Sequence, residues 1–317
     1  KRPLFFFYKF LCGGNEMTWF FLSLLAILFW SGSDFFSKLG SPARDKNSHL
    51  KMTAVVGITM GIHAVYMMTA GGVTVTLRDI IVYLPASLCY ILSMAVGYAG
   101  LRYIELSVSS PVCNTSGAVA AILCAVFLGQ SMGSMQLIGV VAVTVGVLAL
   151  EAVDIKLDGR FAKKDNYVNS LKAILYPLIY CAVDGLGTFA DAWLLGTYIE
   201  EDPANVAYEL TFLLTAVISL IYLIGVKKDR FWENPLPEIR RLELPKVMAA
   251  IVETAGQYFY IFALSANAIL SAPLISAYCV VSMIWSRIFL KEKLSKGKYI
   301  AIAITVIGII ILGASDA

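Results

Sequence analysis

Charge is scarce in this chain. Asp, Glu, Lys and Arg supply 15% of its 317 residues, where a water-soluble domain carries roughly a quarter. That shortage removes the polar surface a soluble globule needs. The net charge is only +3, and the basic residues are scattered between apolar runs instead of forming a block. The composition therefore gives nucleic-acid binding no support. Histidine is nearly absent, with His49 and His63 the two in the chain. Six cysteines contain no C-x-x-C pair, and five of them (Cys89, Cys113, Cys124, Cys181 and Cys279) fall inside apolar runs. They read as free buried thiols, which leaves neither a disulfide framework nor a metal set. A P-loop, G-x-G-x-x-G, H-E-x-x-H and a nucleophile elbow are all missing, so no catalytic residue and no cofactor or metal is expected.

Apolar residues are what the chain has in quantity: 59% of the sequence, with a mean hydropathy of +0.76. Ten apolar segments reach the length of roughly 17–25 residues that a bilayer crossing needs. They run approximately over 18–38, 51–70, 79–101, 105–128, 134–152, 170–196, 205–226, 246–266, 268–290 and 297–314. Lipid offers no partner to an unpaired backbone group, so each is predicted to be a helix. The expected fold is an all-α integral membrane protein of ten transmembrane helices.

The sequence also repeats itself. Residues 98–150 reappear at 260–312 without a gap: Tyr98 falls on Tyr260, Ser109 on Ser271, Pro111 on Pro273, Phe127 on Phe289 and Gly146 on Gly308. A weaker match upstream puts Trp30 over Tyr180 and Asp34 over Asp184. Each repeat then holds five helices, and an odd count means that the second copy enters the membrane upside down. Duplicated, inverted units of this kind are the usual build of secondary transporters. The predicted organisation is a first repeat over 17–155, a linker over 156–169 and a second repeat over 170–317. Residues 1–16 are read as mistranslated upstream sequence ahead of Met17, because Gly13-Gly14-Asn15-Glu16 is what a ribosome-binding site would encode. The third and fourth segments, like the eighth and ninth, are separated by almost no linker and are predicted to form tight hairpins.

Loop charge sets the expected orientation. Lys and Arg follow the odd-numbered segments, for example Lys38, Arg44, Lys46 and Lys51, or Lys227, Lys228, Arg230, Arg240, Arg241 and Lys246. After the even-numbered segments there is only Arg78, and Glu200, Glu201 and Asp202 follow the sixth. Both termini are therefore predicted outside, in a bacterial plasma membrane. Trp19 and Trp193 are expected at the outer interface.

Several stretches resemble the drug/metabolite transporter superfamily, EamA type. The first helix reads Leu28-Phe29-Trp30-Ser31-Gly32-Ser33-Asp34-Phe35 and ends at Lys38, similar to that family's opening W-G-x-N-F…K helix. Leu101-Arg102-Tyr103-Ile104, Ser109-Ser110-Pro111, Phe127-Leu128-Gly129-Gln130 and Gln136-Leu137-Ile138-Gly139 resemble its later pattern, with Gln130 where members usually have Glu; the second copy carries Phe289-Leu290-Lys291-Glu292. The resemblance runs from Met17 to the C-terminus. It implies a ten-helix secondary carrier with its site between the halves, and cargoes ranging over amino acids, drugs, choline-like cations and nucleotide sugars. Members are often drawn with both termini in the cytoplasm; here the loop charges point the other way.

Carboxylates within membrane spans are costly unless paired, protonated or facing water, so each is a candidate site. Asp34, Asp184, Asp191 and Glu253 qualify, and Glu209 lies nearer a helix end. Asp34 has two open readings, a site residue or an i,i+4 partner of Lys38. Asp184 and Asp191 share a helix face and either reach a cargo or bond between helices. Glu253, Gln257 and Tyr260 form one polar stripe, read as a cavity wall or as a packing network. Trp30 and Tyr180 each stand one turn before an aspartate, the arrangement that an organic cation requires: a ring face worth roughly 0.5–2 kcal/mol and a neutralising acid. Tyr278, Tyr258 and Trp285 are further rings, and Ser110 and Asn114 form a possible cavity edge. The substrate-binding candidates are thus Trp30, Asp34, Ser110, Asn114, Tyr180, Asp184, Glu253, Gln257, Tyr260 and Tyr278. Proton-coupling candidates are Asp184, Glu253, Asp34, Asp191 and His63, the last either a relay or hydrogen-bonded structure.

The expected function is secondary active transport of a small organic cation or zwitterion, coupled to protons or another ion. The alternative is a carrier of neutral metabolites or amino acids in which the acids are structural. A membrane-embedded enzyme or scaffold would need a catalytic constellation or soluble domain that the chain does not offer. Expected partners are a small-molecule substrate and membrane lipid, in a monomer or homodimer.

Overall fold

The computed structural model describes residues 18–42, 44–101, 103, 106–157, 171–229 and 236–315. The extension at 1–16 and nearly all of the linker at 156–169 lie outside them. Regular structure among the described residues is helical: α1 (Thr18–Gly40), α2 (Ser48–Thr69), α3 (Leu77–Gly100), α4 (Leu106–Cys113), α5 (Ser116–Phe127), α6 (Ser134–Leu157), α7 (Leu171–Leu194), α8 (Glu201–Ile221), α9 (Leu236–Leu242), α10 (Leu244–Ile275), α11 (Tyr278–Trp285) and α12 (Lys296–Ser315). Six stretches are long and apolar enough to cross a membrane, namely Thr18–Gly40, Ser48–Thr69, Leu77–Gly100, Glu201–Val226, Arg240–Ile275 and Lys296–Ser315. Shorter apolar helices cover Ser116–Phe127, Ser134–Leu150 and Tyr278–Leu290.

The side chains are sorted opposite to those of a soluble globule. Ile62, Ile122 and Ile310 are each more than 60% exposed, while Asp191 and Glu209 are fully buried. Lipid tails accept exposed Leu and Ile; an unpaired carboxylate among them would cost several kcal/mol. Trp19 departs from its expected place at the interface. It is 3% exposed and packs among Ile27, Val140 and Leu312, whereas Trp193 is exposed.

Two segments predicted as continuous are broken, and at equivalent positions. Between α4 and α5, Thr115 N donates to Val112 O and Ala118 N to Thr115 O; between α10 and α11, Ala277 N donates to Leu274 O and Val280 N to Ala277 O. Residues 115 and 277 are counterparts in the repeat and share a conformation, φ −69 and ψ −11 against φ −68 and ψ −4. Both breaks are single turns tightened from i→i−4 to i→i−3 bonding, a form that short functional kinks adopt.

The eighth and ninth predicted segments join within α10 with no loop at all. Asn267 leaves helical conformation (φ −161, ψ 88), and its Oδ1 accepts from Leu270 N at 3.3 Å, starting the next helical turn as a side-chain cap. The chain doubles back there. Ser271 Oγ donates to Ala263 O at 2.8 Å, although eight residues of straight helix would separate them by about 12 Å.

Four helix pairs make up the body of the fold: α1 with α10, α3 with α7, α2 with α8, and α6 with α12. The last pair touches backbone to backbone. A β-carbon at Gly146 would stand 2.8 Å from Thr305 N, and one at Gly308 would stand 2.6 Å from Val143 N. At the Lys/Arg-rich end of the bundle, charges are buried in a cluster. Lys51 Nζ lies 3.2 Å from Asp45 and 3.3 Å from Asp229. Lys246 Nζ lies 3.1 Å from Glu243 and 3.6 Å from Asp45, and donates to Leu242 O at 2.8 Å. These bonds tie the turn after α1 to the segment after α8 and the start of α10.

Candidate functional site

A cavity of about 90 Å³ lies between α1, α3, α4, α5, α7, α8, α10 and α11, with room for on the order of six water molecules. Asp34 reaches it from α1, Asp184 from α7 and Glu253 from α10. Each of the three is half-buried and lines this space. Trp30, Tyr180, Tyr260 and Tyr278 supply rings to the wall, and Ser110, Asn114 and Gln257 supply polar groups. All ten substrate-binding candidates marked in the sequence thus line a single cavity. No Lys, Arg or His is among its described lining residues.

The cavity's place follows from the breaks in the helices. Asn114 and Ser276, counterparts in the repeat, sit at the two tightened turns and both line the wall. A β-carbon at Gly117 would stand 2.4 Å from Ala272 O, so glycine there lets the broken segments approach each other. Trp30 is held by rings, 4.8 Å between centroids to Tyr260 and 5.8 Å to Tyr278. Gly256 makes space for it; a β-carbon there would fall 2.4 Å from Trp30 Cδ1.

Hydroxyl groups from neighbouring helices hold the acids. Asp34 Oδ2 accepts from Ser110 Oγ and, at 2.9 Å, from Ser282 Oγ. Lys38, the alternative partner considered for Asp34, instead donates through Nζ to Leu101 O at 2.8 Å. Asp184 is surrounded by the hydroxyls of Ser93, Ser116 and Tyr180, with Ser93 Oγ at 3.3 Å. Asp191 differs from the other three. It is sealed behind the wall, accepting from Tyr83 Oη on one oxygen and from Tyr90 Oη at 2.7 Å on the other.

His63 stands apart from the cavity. Its Nδ1 lies 2.7 Å from Glu209 Oε1, which also accepts from Asn205 Nδ2 at 3.0 Å. Tyr258 packs edge-on to His63 and Trp285 Nε1 reaches Ser31 Oγ at 3.3 Å, so neither of these rings reaches the cavity.

Four polar groups on the wall make no hydrogen bond within the described protein: Trp30 Nε1, Ser37 Oγ, Tyr98 Oη and Gln257 Nε2. Buried polar atoms are nearly always paired; these four stand unpaired within the wall, with almost none of their own surface exposed. Tyr98 and Ser37 were not marked in the sequence. The repeat contained the signal for Tyr98, the counterpart of Tyr260, and Ser37 follows Asp34 by one helical turn. Thr188, Tyr90 and Tyr208 also line the wall; Thr188 is one turn beyond Asp184, but nothing in the sequence separates Tyr90 and Tyr208 from packing tyrosines.

The EamA-like transporter family matches the sequence twice, over residues 17–151 and 173–314. The chain belongs to this family. This EamA-like chain is therefore a multi-pass membrane protein of a transporter family. No curated protein matches it significantly. Among solved structures, a crystal structure described only as that of a protein is similar over 93% of this chain and 96% of its own, at 16% identity and a TM-score of 0.67, a likeness of fold alone.

Proposed function

We propose that this EamA-like chain is a secondary active carrier, not an enzyme, which moves a small organic cation or zwitterion by alternating access. The observation that carries the reading is the cavity itself: Asp34, Asp184 and Glu253 open onto one space lined by rings, with no basic group among its described lining residues. A cation placed there meets both a neutralising acid and ring faces that attract it. Coupling would come from an acid that is protonated when the cargo is absent and charged when it is bound.

The alternation is attributed to two five-helix halves, 17–155 and 170–317, inverted with respect to each other in ten crossings. Helix pairing supports this. If the halves are related by a two-fold axis, the packing of α1 on α10 must recur as α3 on α7, α5 on α7 as α11 on α1, and α2 on α10 as α8 on α3. All six contacts are present. The Gly146–Thr305 and Gly308–Val143 contacts exchange in the same way, as in a self-complementary interface. The setting is taken to be a bacterial plasma membrane with the Lys/Arg-rich end in the cytoplasm.

A second reading has one observation in its favour. Asp34 and Asp184 have hydroxyl partners within the protein, as structural acids in a carrier of neutral metabolites or amino acids would. A thermal-shift screen of the purified chain against amines, amino acids and nucleosides, at two pH values, separates the two. Stabilisation by small ammonium compounds is expected; stabilisation by uncharged metabolites alone would favour the second reading.

A further inference from the structure

We propose that Asp191, behind the cavity wall, sets the direction of a chain of hydroxyl groups, so that Tyr260 offers the cargo either a lone pair or a proton. The inference deepens the carrier reading above and rests on it for its functional meaning. Its basis is donor arithmetic. A tyrosine hydroxyl has one proton to give and lone pairs to accept with, and an ionised carboxylate only accepts.

The chain has four members. Tyr83 Oη bonds Asp191 Oδ1, and Tyr90 Oη lies 2.7 Å from Asp191 Oδ2. Tyr90 Oη also lies 2.5 Å from Tyr260 Oη, in a contact where either atom can be the donor. Tyr260 Oη is 3.2 Å from Thr188 Oγ1. Asp191 and Tyr83 are fully buried, whereas Tyr90, Tyr260 and Thr188 line the cavity. The carboxylate therefore never touches the cargo; it acts through the tyrosines, as a positioning residue.

When Asp191 is ionised, both Tyr83 and Tyr90 must donate to it. Tyr90 has then spent its proton, so Tyr260 donates to Tyr90, at 2.5 Å closer than Thr188 at 3.2 Å, and turns a lone pair toward the cavity. When Asp191 binds a proton, the shortest contact sets how the chain rearranges. Tyr90 Oη has two acceptors, Tyr260 Oη at 2.5 Å and Thr188 Oγ1 at 3.3 Å, and the closer one accepts its hydrogen bond. Among the described residues Tyr83 Oη has Asp191 as its hydrogen-bond partner, so Tyr83 stays a donor to Oδ1 and the new proton resides on Oδ2. That proton is donated to Tyr90, Tyr90 rotates its own toward Tyr260, and Tyr260 swings its proton toward Thr188 and the cavity. One proton is added to Asp191 and two hydroxyl groups rotate, those of Tyr90 and Tyr260; no other covalent bond forms or breaks.

The consequence for a cation has a definite sign. A primary ammonium ion donates N–H bonds, so it is held by the lone-pair state and opposed by the proton state. A proton on Asp191 and an ammonium ion in the cavity thus exclude each other, although they occupy different places. The titratable groups facing Asp191 are Asp184 on its own helix, Tyr83, Cys89 and Tyr90 on α3, Tyr208 on α8 and Tyr260 on α10. Asp184 is the single further acid in that set, and it opens onto the cavity by itself.

The test is a pH titration of the full-length chain in lipid nanodiscs by difference infrared spectroscopy, with no cargo present. In the wild type, acidification should shift the tyrosine C–O stretch while Asp191 adds its part to the carboxylic-acid C=O band. That shift and that part should be missing from Asp191→Asn, whose remaining acids still give a band. Tyr90→Phe, which removes one hydroxyl and keeps the ring, should retain Asp191's part of the acid band, seen as the difference from Asp191→Asn, and lose the tyrosine shift. A tyrosine signal indifferent to pH in the wild type, or one that survives unchanged in Asp191→Asn, overturns the proposal. A second measurement reads its use. The affinity for methylammonium, which donates N–H bonds, relative to tetramethylammonium, which has none, should fall about tenfold on acidification of the wild type and stay constant in Asp191→Asn. A ratio that falls equally in both proteins overturns the link to the cargo. If neither ion binds at any pH, the cation-carrier reading fails, while the infrared result still decides the hydroxyl chain.

Discussion

Gly146 of α6 and Thr305 of α12 touch so closely that a β-carbon on the glycine would lie 2.2 Å from Thr305 Oγ1 and 2.8 Å from its backbone nitrogen. The backbone at that contact cannot retreat without parting the two helices. Gly146→Ala is therefore expected to cost about 1–3 kcal/mol through overpacking, read as a lower unfolding temperature in detergent. Gly308→Ala should match it, because its β-carbon would meet Val143 N at 2.6 Å. Gly32 is the control. Its nearest neighbour would be Val252 Cγ2 at 3.8 Å, so Gly32→Ala should be neutral or slightly stabilising.

Asp34 is held by serines from both halves of the chain, Ser110 and Ser282. Removing either hydroxyl leaves part of a carboxylate's hydrogen bonding unmet, at a cost of about 1–3 kcal/mol. Ser282→Ala is expected to lower the unfolding temperature, and Ser282→Thr, which keeps the hydroxyl, to restore most of it. Equal losses in both variants would indicate packing and not the bond to Asp34.

The buried charge cluster gives a larger effect. Lys246 is fully buried against Glu243 and Asp45. Lys246→Met strands Glu243 without its ammonium partner and should destabilise by about 3 kcal/mol or more. The double variant Lys246→Met/Glu243→Gln is expected to recover part of that loss in the same unfolding measurement.

His63 and Glu209 should prove coupled. The pair joins α2 to α8 through a 2.7 Å contact, and Glu209 is fully buried. His63→Leu alone is expected to be costly, and adding Glu209→Gln should offset it, with a coupling energy of about 1–3 kcal/mol in a double-mutant cycle. Additive effects would mean that the contact contributes no stability.

Much of this arrangement was legible in the sequence, for a physical reason. Apolar runs of spanning length have one way to satisfy their backbone in lipid, so helices followed from composition. Polar side chains inside such runs cannot face the acyl chains, so Asp34, Asp184, Glu253, Gln257 and Tyr260 had to point inward, and they meet at one cavity. What could not be read depended on tertiary geometry. The breaks at Thr115 and Ala277 leave the apolar pattern intact, since a single tightened turn changes bonding but not composition. Trp19 has the placement of an interface residue in sequence, yet it is buried in a cluster that includes Val140 of α6 and Leu312 of α12. Asp191 lies on the same face as Asp184, yet Tyr83 and Tyr90 close it off from the cavity.

Uptake into proteoliposomes tests the central claim most directly. With the full chain reconstituted and an outward proton gradient imposed, a small ammonium ion should accumulate saturably, and Asp184→Asn should abolish gradient-driven accumulation while the variant remains folded. Undiminished uptake by Asp184→Asn, or saturable uptake restricted to uncharged metabolites, would contradict an acid-lined cavity that exchanges protons for cations.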